Sequence, residues 1–145
     1  CRTFTYAKIE NIPFYVCLTH LDHINEKERL RQLDILINFL QAEKIFNEPH
    51  VIMGDFNTYR RSDYTEQEWK NIEDERKVNS WTMTCEGVVH VMDKHYLDCS
   101  DGKFTAHVKD PKYRIDYFWT RNLTISKTKT LNIELSDHYP ILLEI

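Results

Sequence analysis

Two early segments, residues 2–10 (RTFTYAKIE) and 12–21 (IPFYVCLTHL), either alternate between polar and apolar positions or run apolar. Alternation with a period of two is typical of β-strands, because successive side chains of a strand point to opposite faces of the sheet. The break at Asn11-Ile12-Pro13 lies between the two segments. The pattern therefore predicts a β-hairpin near the start of the chain.

The pattern changes to a helical period between Asn25 and Phe46. Apolar residues recur there at helical spacing, at Leu30, Leu33, Ile37 and Leu40. Asn25 followed by Glu28 predicts a capping box at the first turn, and Pro49 predicts that the helix closes before it. This stretch is predicted to be an amphipathic helix.

A second helix is predicted over residues 64–77 (YTEQEWKNIEDERK). Thr65 and Glu68 have the spacing of a capping box, and Trp69, Ile72 and Arg76 share one face. The short apolar stretch from Val88 to Met92 fits either a helix or a strand.

The remaining apolar segments predict strands. Val51-Ile52-Met53 ends a buried strand, and Gly54 lets the backbone turn where a β-carbon would clash. Residues 103–109 (KFTAHVK) and 113–120 (YRIDYFWT) alternate and are expected to pair through the Asp110-Pro111 turn. Residues 128–135 and 139–145 complete the strands. Because helices lie between strands, the order of elements indicates layered α/β packing.

Composition limits the class of protein. A chain of 145 residues, 41% of them hydrophobic, can form one domain or part of a larger one. A net charge of −4 argues against binding nucleic acid through a general positive field, although a local basic groove remains compatible with it. Cys1, Cys17, Cys85 and Cys99 lack metal-site spacing and are expected to be free, mostly buried thiols, with a disulfide left open. No apolar run is long enough to span a membrane.

Polar clusters interrupt several apolar strand ends: Thr19-His20 with Asp22 and His23, Asp55 with Asn57, Arg114 with Asp116, and Asp137-His138. Each has a structural alternative, since His20 can be a hydrogen-bonded strand-end residue, Asp22-His23 can initiate the helix and Asp116 can pair with Arg114. Together they supply carboxylate, imidazole and amide groups. Those groups suit phosphate-ester hydrolysis, in which carboxylates hold Mg²⁺ and an imidazole meets the anionic phosphate.

The segments THLDH, GDFN, RIDYFWT and SDHYPI occur in this order from Thr19 to Ile141. In order and approximate spacing they resemble the motifs of the endonuclease/exonuclease/phosphatase superfamily, the deoxyribonuclease-I-like proteins. The resemblance implies that Asp55 activates or positions the attacking water and that Asn57 orients it. It implies further that His138 acts at the scissile phosphate with Asp116 as its partner, and that His20 contacts phosphate or assists the leaving group.

The same resemblance implies a Mg²⁺ or Mn²⁺ ion with Asp137 and Asp55 among its ligands. The principal metal-binding Glu of the family, which belongs to its first half, has no counterpart in this sequence. Residues 1–145 are therefore expected to be a partial domain: the C-terminal half of a four-layer α/β/β/α sandwich with mostly antiparallel strands. The missing N-terminal half would be its partner, and the chain alone would be inactive.

A partial domain would leave one sheet face uncovered. The apolar residues expected to bury against a partner sheet are Leu18, Val51, Met53, Phe56, Ile115, Tyr117, Ile141 and Leu143. Arg60 and Arg61 are candidates for contacting phosphate.

The leading hypothesis is a Mg²⁺-dependent phosphodiesterase or phosphatase, a nuclease included, acting on nucleic acid, phospholipid or a small phosphate ester. The alternative is a non-catalytic binding module that retains the scaffold.

Overall fold

The computed structural model describes residues 2–145. The strands and helices follow in the order β1 (Phe4–Lys8), β2 (Tyr15–His20), α1 (Glu26–Ala42), β3 (His50–Asp55), α2 (Glu66–Val78), α3 (Gly87–Asp93), β4 (Leu97–Asp98), β5 (Asp116–Arg121), β6 (Lys127–Thr130) and β7 (Ile141–Glu144). Five strands form one sheet in the order β1-β2-β3-β5-β4, and β6 and β7 form a separate two-stranded sheet.

The predicted mixed α/β fold with mostly antiparallel strands is confirmed. Every strand pair is antiparallel except β2 and β3, which α1 connects as a crossover. The four-layer sandwich stays a prediction, because the second sheet contains only β6 and β7.

One face of the five-stranded sheet packs against α1 and α3. Cross-strand register places Cys17, Ile52 and Trp119 in one row on this face, and all three are fully buried. They join the helical core residues Leu33, Leu36, Leu40, Val88 and Met92. Burial of each large aliphatic side chain contributes roughly 1.5–3 kcal/mol to the free energy of unfolding, so this core fixes the strands that carry the polar clusters.

The helix boundaries follow their capping residues. Thr65 and Glu68 form the predicted capping box of α2. At α1, Asn25 is the predicted N-cap, but its own backbone N–H donates to Asp22, so Glu28 is free to bind Arg31 and no box forms. The helix ends at Ala42, short of the predicted Phe46. The ambiguous stretch from Val88 to Met92 lies within α3.

The prediction of a strand over residues 103–109 was wrong. That segment makes only isolated bridges, from Ala106 to Tyr113 and from Ala106 to His138. Thr105 is buried together with Ala106 and Val108, so the alternation of apolar residues does not correspond to one buried face. The strand predicted over residues 113–120 starts later, at Asp116, and the two-residue strand β4 was not predicted.

The set of residues expected to face a partner sheet needs a correction. Phe56 and Tyr117 are buried in the core beneath the helices, and Ile115 is buried in a second cluster with Tyr64 and Ile72. Leu18 is 47% exposed on the sheet face that points away from α1, where a partner sheet could cover it. The prediction failed for Phe56, Ile115 and Tyr117 because it did not separate the two faces of each strand.

The three cysteines within residues 2–145 are free but only in part buried. Cys17 is buried, Cys85 is exposed and Cys99 is intermediate, so the expected burial holds for one of these three. Cys1 lies outside the described residues. Within residues 2–145, no helix combines the length and the hydrophobicity that crossing a bilayer requires.

Candidate functional site

Three neighbouring strands place three of the predicted site residues in one row. His20 at the end of β2 is the register partner of Asp55 at the end of β3, and Asp55 is the partner of Asp116 at the start of β5. Because β5 runs antiparallel to β3, the start of one strand lies beside the end of the other. The register therefore gathers an imidazole and two carboxylates at one edge of the sheet.

Gly54 allows β3 to approach β2 closely beside this row. Its φ angle is +135°, and a β-carbon there would lie 2.0 Å from the carbonyl oxygen of Thr19. Only glycine tolerates both conditions. The glycine before Asp55 is therefore required by the strand pairing that brings His20 and Asp55 together.

His138 joins the row from the segment between β6 and β7. Its Nδ1 lies 2.8 Å from Oδ2 of Asp116, and both side chains are largely buried. A carboxylate can only accept, so Nδ1 carries the proton in this contact. The hydrogen bond from His138 to Asp116, followed by the charges of Asp116, Asp55 and Asp137, outweighs burial and raises the pKa of His138 to about 9. At neutral pH the imidazole is a cation.

Asp55 is the most perturbed carboxylate of the site. Burial, followed by the negative charge of Asp116, raises the pKa of Asp55 to about 7. Its Oδ1 atom accepts the backbone N–H of Asn57 at 2.8 Å, and Oδ2 lies 3.4 Å from Nε2 of His20. A carboxyl group with this pKa can exchange a proton near neutral pH.

Arg2 contacts His20, and no pattern in the sequence predicts this contact. Nη1 of Arg2 lies 3.1 Å from Nδ1 of His20, and Nη2 lies 3.3 Å from Nδ1 of His23. Since a guanidinium can only donate, Nδ1 of His20 accepts and Nε2 carries the proton that faces Asp55. Burial, with the positive charges of Arg2 and His138, lowers the pKa of His20, so its contact with Asp55 is made by a neutral imidazole.

Asn57 is buried, and its side chain contacts the backbone. It adopts a left-handed conformation with φ of 48°, and its Nδ2 group donates to the carbonyl oxygen of Leu21 at 3.0 Å. Together with the bond from Leu21 N–H to the Asp55 carbonyl, this contact ties the end of β2 to the end of β3. The role of Asn57 in orienting water stays a prediction.

Asp137 stands apart from the hydrogen-bonded row. Its side chain is exposed, and its backbone carbonyl accepts from Val108. Among residues 2–145, no group of three or more His, Cys, Asp or Glu side chains is arranged to hold a metal ion. The assignment of Asp137 and Asp55 as metal ligands therefore stays a prediction.

The arginines near the site bind carboxylates. Arg114 contacts Asp63 and Asp98 and not Asp116, which excludes the proposed Arg114–Asp116 pair. Arg60 forms a bidentate contact with Asp93. Arg61 binds Glu66 and the carbonyl of Tyr64. Because both guanidinium groups pair with exposed carboxylates, the expected phosphate contact of Arg60 and Arg61 stays a prediction.

Asp22 has the structural role that the sequence left open. Its Oδ1 atom accepts the backbone N–H groups of Ile24 and Asn25, which forms the turn before α1.

Comparison with known proteins agrees with this geometry. A family model described as the Endonuclease/Exonuclease/phosphatase family matches residues 2–138. The chain belongs to this family. A search of curated proteins found no match.

Solved structures share the fold of this family member. A functionally unknown conserved protein from Enterococcus faecalis is similar with a TM-score of 0.64 and 24% identity, over 93% of this chain and 50% of that one. A mannosyl-6-phosphatase from Bacteroides thetaiotaomicron is similar with a TM-score of 0.58 and 17% identity, over 90% of this chain and 50% of that one. An endonuclease/exonuclease/phosphatase family protein from the same organism is similar with a TM-score of 0.63 and 16% identity, over 98% of this chain and 54% of that one. The chain spans about half the length of these structures.

Proposed function

We propose that this chain carries one half of the active site of a Mg²⁺-dependent phosphoesterase. The observation that supports the proposal is the hydrogen-bonded pair of His138 and Asp116, standing beside Asp55 at one sheet edge. Family membership supports phosphate-ester hydrolysis as the reaction class.

His138 would act on the phosphoryl group. With Nδ1 bound to Asp116, Nε2 is the ring nitrogen left to meet the phosphate. The cationic imidazole would attract the phosphoryl oxygens and stabilise the negative charge that develops on them. Asp116 would hold the orientation of the ring and favour its protonated form.

Asp55 would accept the proton of the attacking water. Its raised pKa of about 7 makes the carboxylate a stronger base than an exposed aspartate while leaving much of it ionised at neutral pH. His20 would present Nε2–H beside Asp55, where it can donate to a phosphate oxygen or to the leaving group.

This chain offers only some of the ligands that a Mg²⁺ site requires. Carboxylate oxygens are the ligands that Mg²⁺ prefers, and Asp55 and Asp137 are the residues that would contribute them. Two carboxylates do not complete a site, and the described residues hold no larger cluster. When bound, the ion would neutralise charge on the phosphoryl oxygens.

The remaining ligands would come from a segment outside this sequence. The matched structures are about twice as long as the part that this chain covers, so we propose that an N-terminal half supplies the principal ligand. On this proposal the 145-residue chain alone binds Mg²⁺ weakly and does not turn over substrate.

The test is hydrolysis by the full-length protein. Bis-p-nitrophenyl phosphate, p-nitrophenyl phosphate, mannose 6-phosphate and single-stranded DNA would each be assayed with MgCl₂, with MnCl₂ and with EDTA. We expect turnover of at least one substrate with Mg²⁺ or Mn²⁺ and loss of that turnover with EDTA. The monosaccharide phosphate is included because one structure of this fold is a mannosyl-6-phosphatase.

The same assay distinguishes the phosphoesterase from the alternative, a non-catalytic binding module. A non-catalytic module would bind a phosphate ester, measured by calorimetry, without hydrolysing any member of the panel. Turnover that is insensitive to EDTA would contradict the magnesium proposal.

A further inference from the structure

Thr105 contacts the Asp116–His138 pair from a segment outside the family-like motifs. The side chain is fully buried. Its Oγ1 atom lies 2.5 Å from Oδ2 of Asp116 and 3.4 Å from the carbonyl oxygen of Tyr113. A threonine hydroxyl has one proton to donate, and the shorter contact to a charged acceptor takes it. Thr105 therefore donates to Asp116.

Oδ2 of Asp116 thus accepts from two side chains, the hydroxyl of Thr105 and Nδ1–H of His138. A single hydrogen bond would leave the carboxylate able to rotate about its bond to Cβ. Two donors that converge on one oxygen fix both the rotation of the carboxylate and the direction from which His138 approaches.

The backbone of Thr105 also holds the segment that carries His138. The carbonyl oxygen of Thr105 accepts the N–H of Tyr139 at 2.8 Å, and Thr105 N–H donates to Tyr113 at 2.7 Å. His138 lies between the end of β6 at Thr130 and the start of β7 at Ile141, so no strand of its own positions it. Thr105 joins this irregular segment to the chain that leads into β5.

We propose that Thr105 is a positioning residue that aligns Asp116 with His138 for phosphate-ester hydrolysis. Its hydroxyl orients the carboxylate, and its backbone sets the height of His138 above the sheet edge. The proposal rests on the proposed function for its effect on turnover, but the alignment itself is a property of the fold and can be measured without a substrate.

The activity test removes only the hydroxyl. Thr105→Val keeps the size and branching of the side chain, and Thr105→Ser keeps the hydroxyl. In the full-length protein with Mg²⁺ we expect Thr105→Val to lower kcat by roughly 10- to 100-fold, as partners of site residues commonly do, with KM changed less than about threefold. Thr105→Ser should retain kcat within about threefold.

Thr120→Val is the matched control. Thr120 is also a buried threonine, on β5, and its hydroxyl contacts Cys99 and not the site. It should leave kcat unchanged. If Thr105→Val fails to fold, Thr105→Ala replaces it, because Ala and Ser differ only by the hydroxyl. Equal kcat values for the variants with and without the hydroxyl would overturn the proposal.

Proton NMR provides a readout that needs no activity. The Nδ1–H of His138, held against a carboxylate, should give a slowly exchanging low-field signal in the wild type, in Thr105→Ser and in Thr120→Val. In Thr105→Val that signal should broaden or move upfield. An unchanged signal would overturn the proposal even if the wild type hydrolyses nothing, whereas a lost signal in an inactive protein would support the alignment and contradict only the proposed function.

Discussion

Asp55 on β3 and Asp116 on β5 are direct cross-strand partners, so two carboxylates stand side by side at one edge of the sheet. Like charges in this position destabilise a sheet. The fold reduces the repulsion by directing the Asn57 backbone N–H at Asp55 and the imidazole of His138 at Asp116. Burial and Asp116 still raise the pKa of Asp55 to about 7. A carboxyl group whose pKa is raised by burial and by a neighbouring charge is typical of functional sites.

Because of this repulsion, we expect Asp55→Asn to raise the stability of the protein while it lowers the activity. The amide keeps the shape and can still accept from Asn57, but it carries no charge beside Asp116. At pH 8, without added divalent ions, we expect the free energy of unfolding in urea to rise by roughly 0.5–1 kcal/mol. Turnover with Mg²⁺ should fall by roughly 100-fold.

Asp110→Asn is the control for that change, because Asp110 is exposed and pairs only with Lys112. It should alter neither stability nor turnover. Destabilisation by Asp55→Asn would mean that the contact between Asp55 and His20 contributes more to stability than the repulsion between the two carboxylates costs.

Gly54→Ala should destabilise the protein strongly. The added methyl group would lie 2.0 Å from the Thr19 carbonyl oxygen at a φ of +135°, so β2 and β3 must separate. We expect a loss of roughly 2–4 kcal/mol in urea unfolding. Gly102→Ala also has positive φ, at +76°, but meets nothing within 4 Å. It should cost only about 1 kcal/mol, and equal losses for both variants would exclude the close strand contact as the cause.

The sequence predicted the site residues because strand alternation is a local property and because the motifs that carry them resemble those of one family. Asp55 follows a buried run, and Asp116 lies within an alternating one, so both strands were predictable. The contacts that hold these residues were not predictable. Arg2 reaches His20 across 18 positions, and Thr105 reaches Asp116 across 11. Nothing in their local patterns indicates those partners, and the alternation around Thr105 predicted a strand that the structure lacks.

His138→Ala should remove activity and also lower stability at neutral pH. The imidazole makes one side-chain hydrogen bond, to Asp116, and remains partly exposed. Turnover with Mg²⁺ should fall by roughly 100-fold or more. The urea midpoint should also fall at pH 7, because a histidine whose pKa is raised in the folded protein stabilises the fold while it is protonated. His90→Ala is the control, because His90 is an exposed histidine on α3, and it should leave turnover unchanged. Full turnover in His138→Ala would rule out the mechanism.

Arg114→Met should be among the most destabilising substitutions outside the apolar core. Arg114 is 3% exposed and pairs with both Asp63 and Asp98. Its removal leaves Asp63 without a cationic partner and Asp98 with only a contact to Arg60 at 3.4 Å, and we expect a loss of roughly 3–5 kcal/mol. Arg31→Met breaks an exposed pair with Glu28 and should cost less than about 1 kcal/mol. If charge is the cause, adding Asp63→Asn and Asp98→Asn to Arg114→Met should recover part of the loss.

His50 predicts a pH dependence of stability at the opposite end of β3. Its Nδ1 lies 2.8 Å from the Glu48 carbonyl and therefore donates, and its Nε2 accepts from the hydroxyl of Tyr96 at 3.1 Å. Protonation would place a second N–H against that hydroxyl. Burial lowers the pKa of His50 below its usual 6.5, and the charge of Arg121 acts in the same direction. The folded protein thus holds His50 neutral.

The sign of the effect follows from proton binding. Between the lowered pKa of folded His50 and 6.5, the unfolded chain binds a proton that the folded protein does not, so stability is full above pH 6.5 and falls as the pH drops below it. His50→Gln can make both hydrogen bonds but does not titrate. We expect the wild type to lose roughly 1 kcal/mol more than His50→Gln between pH 7.5 and 5.5 in urea unfolding, since each pH unit contributes at most about 1.4 kcal/mol. Taking the difference between the two proteins cancels the carboxylates and His138, which titrate in both. A difference that stays constant across this pH range would mean that His50 is protonated as readily in the folded protein as in the unfolded chain.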